Sequence, residues 1–324
     1  MLALECAPGS NLDVMRLSFG IKTTPAHVDY ADIVRVWQEA DEIEEIEHAW
    51  LYDHLLPRVG PGPIQESELA GPVYEGWTLL AALAAQTRRL RLGLMVTNNR
   101  IRRPAVLAKM AATVDVISGG RLEFGLGIGG FPRRDPRFET MVAPEYKAYG
   151  IEPRPWTEAV ADFAESCEII RRLWTEEVFD YTGRHHRLRA ARCNPKPVQR
   201  PHPPFLVAGA GQATLGLVAD HADIWNVIGP PVNPIEALRR HSTTLDELCI
   251  ARGRDPREIT RSAQIVITYD NPDSTRNTLR QLATAGFTHL VLSLPSPYPR
   301  DVAHWVADEL IIPVRRTLDG LPPR

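Results

Sequence analysis

The chain is poor in lysine: of 37 basic residues only Lys22, Lys109, Lys147 and Lys196 are Lys, and the rest are Arg. It also lacks paired cysteines. Cys6, Cys167, Cys193 and Cys249 show no CxxC spacing and no nearby paired His, which argues against a disulfide framework or a zinc site and fits a reducing cytoplasm. No apolar run approaches the roughly 20 residues needed to span a bilayer. The N-terminus has no basic start followed by an apolar segment, so no export signal is expected. Charge of one sign is not in excess either. With 37 basic and 40 acidic residues, neither a nucleic acid nor a membrane is the expected partner. The Arg bias itself has two readings, GC-rich codon usage or anion recognition by planar guanidinium groups.

At roughly 150 residues per domain, 324 residues suggest two domains, yet one α/β barrel is also about this long. Residues 1–14 have no sustained period and read as a disordered extension, leaving 15–324 as the folded unit. From there strands and helices alternate. Strand patterns fall at Leu17–Ile21, Ala49–Tyr52, Leu90–Val96, Leu122–Ile128, Phe205–Ala208, Asp223–Val227, Ser262–Thr268 and His289–Leu294. Helical periods lie between and after them, the last interrupted by Pro313. Eight such βα units with few hairpins predict a closed (βα)8 barrel. Two stretches are too long for ordinary loops and read as insertions. One follows the fourth strand, at 129–154. The other precedes the fifth and contains a Tyr181-Thr182-Gly183-Arg184 turn.

In such a barrel the chemistry sits at the C-terminal strand ends. The second strand ends in Asp53-His54, where a His beside a carboxylate can move protons near neutral pH, or can simply bond a neighbouring carbonyl. The third ends in Met95-Val96-Thr97-Asn98-Asn99, where Thr97 and Asn99 offer hydrogen bonds to a planar polar ligand or form a plain polar loop. The fourth ends in Gly125-Leu126-Gly127-Ile128-Gly129-Gly130. This run looks like a dinucleotide fingerprint, but the glycines fall inside the strand and no helix follows at once. Gly127 there suits either a flat ligand close to the backbone or tight barrel packing. The fifth runs through Gly209-Ala210-Gly211-Gln212-Ala213-Thr214 straight into a helix, an arrangement of free N–H groups suited to phosphate. No Walker lysine, nucleophile elbow or metal-spaced acidic cluster is present, so no metal is expected.

The blocks AWLYDHLLP, SGGRLEFGLGIG, NPKPVQRPHPPFLVAGAG and DIWN, in this order, resemble the bacterial luciferase-like flavin-dependent oxidoreductases, most closely the branch using the deazaflavin coenzyme F420. The resemblance runs from about Met15 to the final helix. It implies an oxidoreductase that moves a hydride between F420 and a small organic substrate, with His54 catalytic. Cofactor contacts would come from Asp53, Met95, Val96, Thr97, Asn99, Gly127, Gly209, Gly211 and Thr214, the Met95-Val96 peptide being cis. The alternatives are an FMN-dependent monooxygenase, or a cofactor-binding barrel without turnover. A homodimer is held open as the assembly. One departure stands out: the family's usual acid position is Gly130. Arg100, Arg102, Arg103, Arg133, Arg134 and Arg137 fall on two loops of the site face and would suit F420's polyanionic tail.

Overall fold

The computed structural model describes residues 16–57, 70–130 and 142–319. The chain opens with β1 (Ser18–Lys22), α1 (Tyr30–Glu42), β2 (His48–Leu51), α2 (Gly76–Gln86) and β3 (Arg91–Leu94). Then come a two-residue β4 (Thr97–Asn98), α3 (Pro104–Ile117) and β5 (Phe124–Gly127). The 1–14 segment lies outside the described residues.

Seen from the strands, β1, β2, β3, β5, β8 (Phe205–Ala208), β9 (Ile224–Ile228), β10 (Thr260–Val266) and β11 (His289–Ser293) are all parallel to their neighbours. The sheet order runs β3-β2-β1-β11-β10-β9-β8-β5-β4. A parallel bridge from Leu92 to Leu122 joins β3 to β5 and closes the ring. The predicted third strand is interrupted: β3 ends at Leu94, the Met95-Val96 peptide is cis, and pairing resumes at Thr97.

Alternation assigns the two faces of the barrel wall. Phe19, Ile21, Phe124, Val207, Ile265 and Leu292 point outward into the main core under the helices. Inward-facing positions are more polar, with Lys22, His48, Asn226, Ser262, Gln264 and His289 around a small apolar cluster of Trp50, Met95, Leu206, Ile224 and Val291. Gly20 leaves room for the His48 ring, since a Cβ there would lie 1.8 Å from Nδ1. Toward the N-terminal end the buried polar groups pair off. Glu123 takes Arg91 at 2.5 Å and faces His289 at 3.4 Å, while His289 meets Ser262 at 2.8 Å and stacks on His48 at 3.8 Å.

The helices that follow are α4 (Ala143–Ala148), α5 (Trp156–Thr175), α6 (Gln212–His221), α7 (Ile235–Ile250) and α8 (Pro272–Thr284). Between α5 and β8 an antiparallel hairpin, β6 (Phe179–Thr182) with β7 (Arg187–Ala191), is tied to α5 by Glu165, which accepts from the backbone N–H of Arg184, His185 and His186. The last helix, α9, runs from Val302–Trp305 through a π-type turn, Val306–Ile311, into Ile312–Asp319. Pro313 has no N–H for the carbonyl of Glu309, four residues back, and Arg276 donates to that carbonyl at 2.6 Å instead.

Arginine has a structural use here that neither sequence reading anticipated. Arg89 donates to the carbonyls of Ala40, Ile43 and Ile46 at the end of α1. Arg121 donates to those of Ala84, Thr87 and Leu90 at and past the end of α2, and Arg254 to Ala219 and Ala222 at the end of α6. A helix C-terminus leaves carbonyls without intrahelical partners, and the planar fork of a guanidinium can collect several at once.

Candidate active site

Every residue expected at the site lies at the C-terminal end of the barrel. His54 and Asp53 follow β2, Met95 to Asn99 span the break between β3 and β4, Gly127 ends β5, and Gly209, Gly211 and Thr214 link β8 to α6. His54 is partly open, its side chain 23% exposed. Its Nδ1 lies 2.8 Å from Oε2 of Glu145, a carboxylate only 1% exposed whose other oxygen has no hydrogen-bond partner.

Glu145 comes from α4, within the long connection after β5. Three contacts seat that helix on the barrel. Tyr146 Oη accepts the Gly130 N–H at 2.8 Å and donates to Asn98 Oδ1 at 3.2 Å, while Tyr149 Oη donates to the Leu55 carbonyl at 3.1 Å. Burial raises the Tyr146 hydroxyl above its ordinary value, so it stays a neutral donor. Gly130 itself has no room for a side chain, because a Cβ would meet Val142 Cγ1 at 2.1 Å. The missing acid at Gly130 is therefore accompanied by another carboxylate, Glu145, reaching the mouth from the connection.

Asp53 is buried and already engaged. Its oxygens take Arg102 at 2.6 and 2.9 Å, and Oδ2 also accepts the Asn98 N–H at 3.0 Å. Arg102 bonds Glu75 as well, the N-cap residue of α2. Arg100 binds Asp162 at 2.9 Å, a carboxylate that also holds Arg154, His186 and Asn99 Nδ2. Burial alone would raise Asp162, but His186, Arg154 and Arg100 hold it below the usual carboxylate range. The expected basic patch is thus corrected for two of its members: Arg100 and Arg102 neutralise buried acids supplied by other elements, Asp162 on α5 and Asp53 after β2. Arg103 is exposed, and Arg133, Arg134 and Arg137 lie outside the described residues.

The wall beside His54 keeps unused hydrogen-bonding capacity. Thr97 Oγ1 and Asn99 Oδ1 are both buried without a partner, which a ligand with polar ring-edge groups would supply. Gly127 makes room for Val96, since a Cβ would lie 2.5 Å from Val96 Cγ2, so barrel packing explains this glycine. At the next station Gly209 adopts φ 137°, its carbonyl accepts from Trp225 Nε1 at 2.7 Å, and a Cβ would press on Thr214 at 2.6 Å. Gly211 caps α6 with no side-chain acceptor, no acid stands in the first turn, and a Cβ there would meet nothing closer than Thr214 Oγ1 at 3.9 Å. Open N–H groups without a competing carboxylate suit a phosphate. The residues present therefore fit a flavin-type cofactor. Among the described residues no acidic, His or Cys group has metal-site geometry, and no helix is long and apolar enough to cross a membrane.

Sequence reasoning missed Glu145. It is 91 residues from His54, and the one available signal was an acid flanked by Pro144 and Tyr146 in a connection too long to be a simple loop.

A closed βα barrel with a histidine, unpartnered polar atoms and an open helix N-terminus at its C-terminal mouth has the frame of a cofactor-dependent barrel enzyme. The family model described as luciferase-like monooxygenase matches residues 15–307, and the chain belongs to that family, whose members are oxidoreductases or monooxygenases. A phthiodiolone/phenolphthiodiolone dimycocerosates ketoreductase of Mycobacterium tuberculosis is 32% identical over 249 residues, which is 72% of this chain and 60% of that protein. The chain thus matches well under two thirds of the relative's length. Among solved structures, an F420-dependent secondary alcohol dehydrogenase in complex with an F420-acetone adduct aligns with TM-score 0.74 at 16% identity, over 93% of this chain and 99% of that one. A riboflavin lyase with modified FMN and riboflavin aligns with TM-score 0.73 at 14% identity, over 95% and 93%. These likenesses show the fold.

Proposed function

We propose that the protein moves a hydride between coenzyme F420 and a small alcohol or carbonyl compound. The observation that carries this reading is the partly open His54, braced by a buried carboxylate at the barrel mouth. The ketoreductase relative and the alcohol dehydrogenase neighbour support it by their chemistry. The deazaflavin would supply the hydride acceptor or donor. Thr97 and Asn99 would hold its polar edge beside Met95 and Val96, and Gly209, Gly211 and Thr214 would hold its phosphate. Asp53 would act through Arg102 by fixing the loop that carries Asn98 and Asn99. His54 would accept the substrate hydroxyl proton in oxidation and return it to the carbonyl oxygen in reduction.

A second reading, an FMN-dependent monooxygenase, draws on one observation. With Arg100 and Arg102 engaged internally, two of the cations expected to meet a long anionic tail are committed elsewhere, and FMN carries a single phosphate. Titrating the purified protein with F420 and with FMN separates the two, followed by assay of bound cofactor against secondary alcohols and ketones. We expect binding and substrate-dependent absorbance change with F420, and a His54→Ala variant that still binds F420 but turns over about 100-fold or more slowly. Binding and turnover with FMN alone would overturn the F420 reading. A barrel without turnover is the third outcome, and it would show binding but no substrate-dependent change.

A further inference from the structure

We propose that Glu145 is a positioning residue that holds the proton of neutral His54 on Nδ1, so that Nε2 is the basic atom presented to substrate. The proposal rests on the reading of His54 as the group that moves the substrate proton. A carboxylate accepts hydrogen bonds and cannot donate them when ionised, so an imidazole nitrogen 2.8 Å from Glu145 Oε2 must carry the hydrogen. The second nitrogen is then the acceptor, and it makes no hydrogen bond among the described residues.

Stability does not account for Glu145. Its side chain is almost fully buried, bonds no Arg or Lys among the described residues, and leaves Oε1 without a partner there. Burying a carboxylate on such terms is costly. Asp53 and Asp162, by contrast, are each held by arginine. Among the described residues the other charged or titratable groups around His54 are engaged elsewhere. Tyr52 packs edge-on against the ring at 5.6 Å with its hydroxyl on Thr24, Asp53 is held by Arg102, Tyr146 bonds Gly130 and Asn98, and Tyr149 bonds Leu55. Glu145 is the acid placed to direct the ring.

In the oxidation direction Nε2 would accept the hydroxyl proton of a secondary alcohol; the deazaflavin, when bound, would supply the acceptor for the carbinol hydride, leaving C=O. Nδ1 keeps its proton throughout, and the Glu145 carboxylate balances the imidazolium that forms. Reduction reverses each transfer. The arrangement parallels the general case of a base oriented by a third group.

The first test needs neither cofactor nor substrate. Long-range 15N–1H correlation spectra of the histidine rings, assigned through a His54→Gln control, report which nitrogen of neutral His54 bears hydrogen. We expect Nδ1–H in the wild type and a switch to Nε2–H in Glu145→Leu. Nε2–H in the wild type, or an unchanged Nδ1–H in Glu145→Leu, overturns the proposal. If Glu145→Leu does not fold, the wild-type spectrum alone decides. The kinetic arm uses Glu145→Gln, which keeps an acceptor but loses the charge: kcat should fall about tenfold or more with KM within about twofold. An unchanged kcat would also overturn it. Because the tautomer is read without cofactor, failure of the F420 reading leaves that measurement intact.

Discussion

Both ends of the barrel pair a histidine with a glutamate, and the surroundings of the two pairs differ. At the N-terminal end Glu123 faces His289, and the pair is closed off: Arg91 neutralises the carboxylate, Ser262 takes His289 Nδ1, and both side chains are less than a tenth exposed. At the mouth Glu145 meets His54 with no arginine on it among the described residues, and the ring is partly open. The same two residue types therefore do different work. Sealed and neutralised, the pair holds strands together; open to the mouth and without an arginine, it can exchange protons with a ligand.

The largest effect should separate the two ends in stability. Glu123→Ala should cost about 3–5 kcal/mol in urea unfolding, because it removes the buried carboxylate that pairs with Arg91 and faces His289, leaving both without it. His54→Ala should cost less than about 1 kcal/mol, since its ring is partly in solvent. A larger loss at His54 would break the comparison. Next, within the mouth, Gly209→Ala should cost about 2–3 kcal/mol, through its positive φ and the clash with Thr214. Gly211→Ala, with open space around it, should stay within about 0.5 kcal/mol by the same unfolding measurement.

A further effect, spread over several groups, concerns pH. Burial, with His289 alongside, holds His48 well below its ordinary value, and burial beside Arg171 takes His221 down to about 4. The folded state then binds fewer protons than the unfolded chain below about pH 6.5, so this stability is present above that value and is lost as pH falls toward 4. Going from pH 7 to 5 should cost about 1–2 kcal/mol in unfolding free energy. Glu123 adds a further loss at lower pH: burial alone would raise it, but His289, Arg91 and His48 hold it far below the usual carboxylate range. Flat stability between pH 7 and 5 would show that the sealed end tolerates protons after all.

The barrel was legible in sequence because alternate outward residues such as Phe19, Ile21, Leu290 and Leu292 must be apolar to meet the helices. The break in the third strand was marked only through the resemblance, which implied the cis Met95-Val96 peptide; by pattern alone Met95 and Val96 are as apolar as a continuous strand would be. Pro313 did mark a disturbance in the last helix, but the widened turn lies just before it, where Arg276 takes the freed carbonyl. Partners distant in sequence were invisible. Arg100 and Arg102 looked available for a ligand because Asp162 and Asp53 come from other elements, and Glu145 was hidden for the same reason.

The scarcity of lysine has a practical side. Lys109, though exposed, and Lys196 donate to backbone carbonyls and Lys22 bonds Gln264 inside the barrel, whereas Lys147 is exposed on α4 with no such bond among the described residues, two residues beyond Glu145. An amine-reactive fluorophore should favour that position over the other three lysines. Its emission would then report directly on whether the helix carrying the candidate acid shifts when a ligand enters the mouth.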